Sequence, residues 1–325
     1  MALTTPVRLR VDDPSGVAPV RRAVEEIADA LGLDEVRRGE ASIVVTELAT
    51  NLIRHARGGE IVLRINRVGD ASIDVIATDR GPGIPNFARA RGDGFSTGGG
   101  PGNGLGAIGR MSAAMDVHSG AGQGAVVLAR LGTPEPEPPV DGIALAMEGE
   151  TSCGDAWGHV VDGEQVTILL MDGLGHGDDA ATAANAAVRE LRPGLDPNGL
   201  LMRIHGALRA TRGAAGAVAY WNRRTGALQY AGIGNIAASI VVAGESRSLV
   251  SMPGILGHGI QRPRVFDYEL PPGGLLVMHS DGLRSGWDLA AYPGIVRRDP
   301  LATAAVLIRD FERGRDDVSV VVARA

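Results

Sequence analysis

Two hydrophobic periods divide the chain into elements. Val7–Val11 alternates apolar and polar positions, the mark of a half-buried strand, whereas Val17–Leu31 repeats its apolar residues at helical spacing. Asp34 is a plausible N-cap for a long helix running to about Ala56. Ile61–Val68 and Ala71–Ala77 read as strands turning at Gly69-Asp70. A glycine-rich stretch, Gly92–Gly106, precedes a short helix at Leu105–Ala114 and strands at Asp116–Ser119 and Ala125–Leu131. This first part predicts a sheet packed on one side by helices.

The second part opens with strands at Ile143–Gly149, Ala156–Val161 and Gln165–Met171, followed by helices at Asp179–Arg192 and Pro197–Thr211. Strands return at Ala215–Trp221, Ala227–Ile233, Ala237–Val242, Val265–Leu270 and Leu275–Ser280. A helix at Leu301–Phe311 and a strand at Val318–Ala323 follow. Two stacked sheets flanked by helices are the expected arrangement. Between the parts, Gly132-Thr133-Pro134-Glu135-Pro136-Glu137-Pro138-Pro139 can hold neither helix nor ladder and reads as a stiff, extended linker. The predicted division is therefore 1–131, a linker at 132–142, and 143–325.

Composition narrows the classes. Aromatics are only 3% of 325 residues, so Ala, Val, Leu and Ile must build the cores. No apolar run is long enough for a membrane helix, and MALTTPVRLRVDD lacks the basic and apolar regions of a signal peptide. A single cysteine, Cys153, suits a reducing cytoplasm, the expected location. A net charge of −6 with scattered arginines argues against a nucleic-acid surface, so neither nucleic acid nor membrane is an expected partner. All 32 basic residues are arginine. The absence of lysine excludes a Walker A site, Schiff-base chemistry and the strand lysine of protein kinases. The plain reading of that absence is arginine replacing lysine in a GC-rich coding sequence, with no functional meaning.

Three features of the first part carry chemistry in order. Glu47, Asn51 and His55 share one helix face. A buried carboxylate and amide need partners; a magnesium ion and a nucleophile's proton are one set, neighbouring polar residues another. Asp79 in Asp79-Arg80-Gly81-Pro82-Gly83-Ile84 follows a strand, where it can accept from an exocyclic amine such as adenine N6. GFSTGGGPGNGLGAIGRM, residues 94–111, then feeds exposed amides into a helix N-terminus, a phosphate-binding arrangement. This order resembles the GHKL (Bergerat) ATP-binding fold, within it the anti-sigma-factor and stressosome serine kinases of the RsbW and RsbT group. The resemblance implies that Glu47 activates the substrate hydroxyl and Asn51 holds Mg²⁺ with ATP. It implies that Asp79 reads adenine and that Gly81, Gly83, Gly102, Gly104 and Gly106 shape the pocket. The gyrase and MutL branches use a γ-phosphate lysine, which this chain lacks. One departure is Gly122-Gln123-Gly124-Ala125, where the family often has threonine after the second glycine.

In the second part, Asp155, Asp172, Asp281 and the pair Asp316-Asp317 sit at predicted strand ends or turns. Each Asp-Gly alone is an ordinary turn. Carboxylates gathered by sheet topology would repel one another unless cations bind, and oxygen ligands favour Mg²⁺ or Mn²⁺ over zinc. Two such ions can bind phosphate oxygens and lower the pKa of a water. SCGDAWG, DGLGHG, AGIGN, SDGL and RDDVSVVV, in this order, resemble the metal-dependent protein phosphatases (PPM family), in the SpoIIE and RsbX branch. The resemblance implies that Asp172 bridges two metals, that Gly173 lends its carbonyl, and that Asp155, Asp281 and Asp316 or Asp317 complete the shells. The larger phosphatases of that family place a histidine directly after the bridging Asp-Gly. Here Leu174 stands there and His176 lies two residues on. His279, inside a strand, and Cys153 read as packed residues.

The expected fold class is α+β: a GHKL-type sandwich of helices on one sheet, then a PPM-type α-β-β-α sandwich. The implied function is bifunctional. A serine/threonine kinase would be joined to a Mg²⁺- or Mn²⁺-dependent phosphatase, both acting on STAS-domain anti-sigma-factor antagonists in a partner-switching or stressosome-like pathway, with a sigma factor as a further candidate partner. One alternative is a phosphatase with a non-catalytic ATP-binding module; another is an anti-sigma-factor binding module fused to a phosphatase.

Overall fold

The structure, a computed structural model, describes residues 5–66, 72–84, 104–132, 138–260 and 262–325. The chain divides into two compact units, the first running to Pro138 and the second spanning Pro139–Ala325.

The first unit is an antiparallel sheet with helices on one face. Its strands are β1 (Val7–Val11), β2 (Gly59–Asn66), β3 (Ser72–Thr78), β4 (Ala114–Ser119) and β5 (Ala125–Leu131), in the order β1-β2-β3-β5-β4. Helices α1 (Val17–Ala30), α2 (Glu35–Asn51) and α3 (Gly104–Met111) complete it. Alternation assigns the faces: Ile61, Leu63, Ile73, Val75, Ala77, Val127 and Ala129 point at Val20, Val24, Val44, Val45 and Leu48 of α1 and α2. Asp34 caps α2 as its sequence predicts, accepting from Arg37 N at 2.8 Å. The helix is expected to reach Ala56 in one form, but its last turn, Leu52–Ala56, is π-helical and stops at Arg57 in the left-handed region (φ 62°). Three directly paired residues, Arg64, Asp74 and Arg130, cross β2, β3 and β5 as a buried ionic row. The Gly69-Asp70 turn and most of the glycine-rich stretch lie outside the described residues.

The second unit is a four-layer sandwich. One sheet has the order β13-β10-β9-β8-β7, with β14 also on β10. Here β7 is Asp155–Asp162, β8 Gln165–Gly173, β9 Ala214–Asn222, β10 Ala227–Ile233, β13 Ser251–Met252 and β14 Phe266–Glu269. The other has the order β12-β11-β15-β16-β6, from β6 (Val140–Leu145), β11 (Ala237–Val242), β12 (Glu245–Ser248), β15 (Leu275–His279) and β16 (Val318–Arg324). The apolar run of β8 splits by parity. Ile168 and Leu170 enter the inter-sheet core with Trp221, Tyr230, Leu276, Met278 and Val321. Leu169 and Met171 face helices α4 (Asp178–Val188) and α5 (Pro197–Ala207). Helix α6 (Pro300–Phe311), almost wholly buried, packs along β16 and β6. The strand expected from Ile143 begins at Val140, inside the stretch read as linker, because Val140 pairs with Ala323 and is buried. No helix among the described residues is long and apolar enough to cross a membrane.

Candidate functional sites

In the first unit, α2 and α3 bring Glu47, Asn51 and Gly104 together, and the turn after β3 holds Asp79, Gly81 and Gly83. Glu47 and Asn51 are one helical turn apart and half-buried. Gly104, the first residue of α3, lies against both: a Cβ there would stand 3.1 Å from Glu47 Oε2 and 3.5 Å from Asn51 Oδ1. A helix N-terminus thus abuts the carboxylate–amide pair, and buried Gly106 follows one turn-half later. Asp79 directly follows β3, where its Oδ1 accepts from Gly81 N at 2.7 Å and from Ala125 N at 3.3 Å. These bonds fix the carboxylate at the strand end. Gly83 has φ 79°, and any Cβ would meet Gly120 O at 2.2 Å, so the turn tolerates only glycine. Gly81 is comparably crowded by Ala56. Ser119 ties the turn to the next strand, its hydroxyl accepting from Ile84 N and donating to Gly124 O. Gly102 lies outside the described residues, while His55 is exposed on the π-helical turn.

In the second unit, sheet register does what spacing could not reveal. Asp155 and Asp172 are directly opposed partners on β7 and β8. Like charges placed so oppose each other. Asp172 is pushed up to about 7, by burial first and then by the charges of Asp281 and Asp316, against a hydrogen bond from Asn235. Asp155 is held well above the usual carboxylate range, by burial first and then by Asp172. The hydroxyls of Ser280 and Ser319 temper that rise, yet Asp155 Oδ2 and Ser319 Oγ are buried without a hydrogen bond of ordinary geometry. Asp281 follows β15, and Asn235, from the turn after β10, bridges it to Asp172: Nδ2 donates to Asp281 Oδ2 at 2.8 Å and to Asp172 Oδ2 at 3.3 Å. Asn235 is the residue that sequence reasoning passed over. It ends the AGIGN motif, where the glycines drew attention instead.

The adjacent aspartates before β16 have different surroundings. Asp317 is buried, and both its oxygens accept backbone amides, Met147 N at 2.8 Å and Gly154 N at 2.7 Å. Asp316 is half-buried, and its pKa is raised by burial and by Asp281 and Asp317, with His176 opposing. His176 is exposed, its Nδ1 2.8 Å from Glu150 Oε1. His279 is a packed core residue: Nδ1 donates to Ser280 O, Nε2 accepts from Trp287 Nε1, and burial lowers its pKa. Burial likewise pushes the Cys153 thiol up, so it is no nucleophile. Gly173 is buried at the end of β8, its amide bonded to Gly154 O.

Among the described residues, no three His, Cys, Asp or Glu side chains already surround one point as a preset metal centre would. The donor set nevertheless fits hard cations. It is all oxygen, it is mutually repelling, and it includes a buried carboxylate oxygen without a partner. Cations would relieve what the protein alone leaves strained.

Residues 11–131 match the family model described as a histidine kinase-like ATPase domain, and residues 162–325 match that of stage II sporulation protein E (SpoIIE). The serine/threonine-protein kinase RsbT of Bacillus subtilis (strain 168) is 32% identical over 114 residues, 35% of this chain and 86% of RsbT. The phosphoserine phosphatase RsbX of the same organism is 26% identical over 143 residues, 43% of this chain and 71% of RsbX. A solved chain described as "The bacterial stressosome: a modular system that has been adapted to control secondary messenger signaling" shares 32% identity. That match has a TM-score of 0.51 and covers 57% of this chain and 98% of the other. With a PPM-type sandwich in one unit and a GHKL-type sheet in the other, the chain belongs to the SpoIIE family through residues 162–325 and carries an RsbT-like, histidine-kinase-like ATPase domain in residues 11–131.

Proposed function

We propose that the chain is a cytoplasmic regulator that both adds and removes phosphate on a serine or threonine of STAS-domain antagonist proteins, with a sigma factor downstream. The observation that carries the phosphatase half is the opposed pair Asp155–Asp172 with Asp281 and Asp316 held beside it. Asp155, Asp172, Asp281 and Asp316, with the carbonyl of Gly173, would hold two Mg²⁺ or Mn²⁺ ions. Such ions, when bound, supply charge for phosphate oxygens and lower the pKa of a water. Asp317 serves instead by holding the 147–154 loop through its two amide bonds. Asn235 orients Asp172 and Asp281 toward one another's site.

The kinase half rests on Glu47 and Asn51 lying against Gly104. In this reading Glu47 takes the proton of the substrate hydroxyl, Asn51 holds Mg²⁺ with ATP, and the α3 N-terminus faces the phosphates. Asp79 receives the adenine amine over Gly81 and Gly83, while Gly102, Gly104 and Gly106 let the loop approach the nucleotide. The two activities belong to 1–131 and to the unit that begins at Pro139, joined by the proline-rich stretch that ends before Val140 pairs. Cleavage there should yield two soluble fragments, each with one activity; insoluble fragments would refute the division. The deciding experiment incubates the chain with ATP-Mg²⁺ and STAS-domain proteins, following phosphate onto and off each one. Phosphate that is removed but never added would favour a non-catalytic ATP-binding module.

A further inference from the structure

Beside the aspartates lies an apolar lip that the chemistry of phosphate hydrolysis does not require. Leu174, the residue immediately after Asp172-Gly173, is 39% exposed, and Ile255 is 37% exposed. Both border Gly213. Leu174 N donates to Gly213 O at 3.1 Å, and Ile255 Cγ2 stands 2.8 Å from the position a Gly213 Cβ would take. Arg212 edges the same spot. Its guanidinium pairs with Asp179 at 2.6 Å, and Nη1 lies 3.3 Å from the Cβ position of Gly175. Two exposed aliphatic residues, Leu174 by its backbone amide and Ile255 by its side chain, thus flank Gly213, and the Leu256–Ala214 bridge pins the backbone beside them.

We infer that this lip receives the residues flanking the phosphorylated hydroxyl of a protein substrate, with an aliphatic side chain one or two positions away seated on Leu174 and Ile255. The inference rests on the phosphatase reading and names the substrate feature it would select. Continuity carries it: a phosphate brought to Asp172 must lay its neighbouring chain over the residues beside Asp172. Leu174 is two residues on, within about 7 Å, the reach of two extended residues. Leu174 and Ile255 present aliphatic carbon in a site otherwise lined by charged groups, so these two residues complement an aliphatic neighbour. Arg212, held in place by Asp179, complements the phosphate or the carbonyls of the same peptide.

The test uses the full chain with Mn²⁺ and phosphoserine peptides that differ only in leucine, aspartate or arginine beside the phosphoserine. Each kcat/KM is taken relative to the same variant's rate on an aryl phosphate. The wild type should prefer the leucine peptide over the aspartate peptide by at least tenfold. Ile255→Asp should abolish that preference and turn it toward the arginine peptide. A wild type that hydrolyses the aryl phosphate but ignores the neighbouring residue overturns the inference and leaves the phosphatase reading standing. A wild type inert on every phosphoester overturns the reading beneath both. If sedimentation shows a dimer that Ile255→Asp dissociates with peptide preference unchanged, the lip joins copies of the chain and the inference fails.

Discussion

Replacing Asp172 by asparagine should make the metal-free second unit more stable, although it removes the central carboxylate of the site. Asp172 is pushed up to about 7 from the ordinary 3.8, by burial first and then by the charges of Asp281 and Asp316. A group raised in the folded state binds more protons folded than unfolded. Stability is therefore greatest below about pH 4 and falls as pH rises toward 7. At about 1.36 kcal/mol per pH unit, that interval corresponds to about 4 kcal/mol of destabilisation once Asp172 is ionised. Asparagine keeps the shape and removes the charge, but it reshuffles the bond from Asn235, worth about 1 kcal/mol. The expected gain in EDTA at pH 8 is about 2–4 kcal/mol. It should shrink toward zero by about pH 4, where both proteins carry a neutral group. Mn²⁺ should reverse the order by stabilising the wild type alone. Trp157, Trp221 and Trp287, the chain's three tryptophans, all lie in this unit, so urea unfolding followed by tryptophan fluorescence reads it alone. A metal-free wild type as stable as the variant at pH 8 would refute the argument that burial and neighbouring carboxylates oppose the Asp172 charge.

Other substitutions separate roles within each site. Glu47→Ala should leave nucleotide binding intact, by calorimetry, while abolishing phosphate transfer to a STAS-domain protein; unchanged transfer would remove Glu47 as the base. Asp316→Ala should eliminate Mn²⁺-dependent hydrolysis with little change in stability. Asp317→Ala strands the amides of Met147 and Gly154 and should cost about 2–5 kcal/mol in urea unfolding. Equal stability of the two variants would undo that division of labour. Gly83→Ala forces a side chain into the left-handed region against Gly120 O. It should weaken ATP binding at least tenfold and destabilise the first unit by about 1–3 kcal/mol, and normal affinity would show that this turn is not part of the nucleotide site.

What the sequence makes legible follows burial. Strands β1, β5, β10 and β11 have the bounds that the sequence predicts: β1 by alternation, the others as short apolar runs bounded by turn residues. β12, with sequence ESRS, is exposed throughout and carries no such signal; only its pairing with β11 makes it a strand. The π-helical turn after Asn51 is equally silent, since LIRHA reads as ordinary helix. Motif order picks out the candidate aspartates, but Asp316 and Asp317 are distinguished only by what each faces. Asp317 is claimed by amides from a loop 170 and 163 residues away. Asn235 escapes for the same reason: its importance lies in reaching two aspartates, not in any local pattern.

Those long-range ties to Asp317 also set an order in time. The Asp155 end of β7 is anchored by the residue just before β16, so the site proposed for phosphate hydrolysis cannot close until β16 has been synthesised and paired. The ATP-binding sheet needs nothing beyond Leu131 to complete its ladder. During synthesis, a nascent chain can therefore acquire its nucleotide fold well before its phosphatase fold. Clipping at the exposed Arg313–Arg315 turn would sever β16 and selectively disable the later-formed activity.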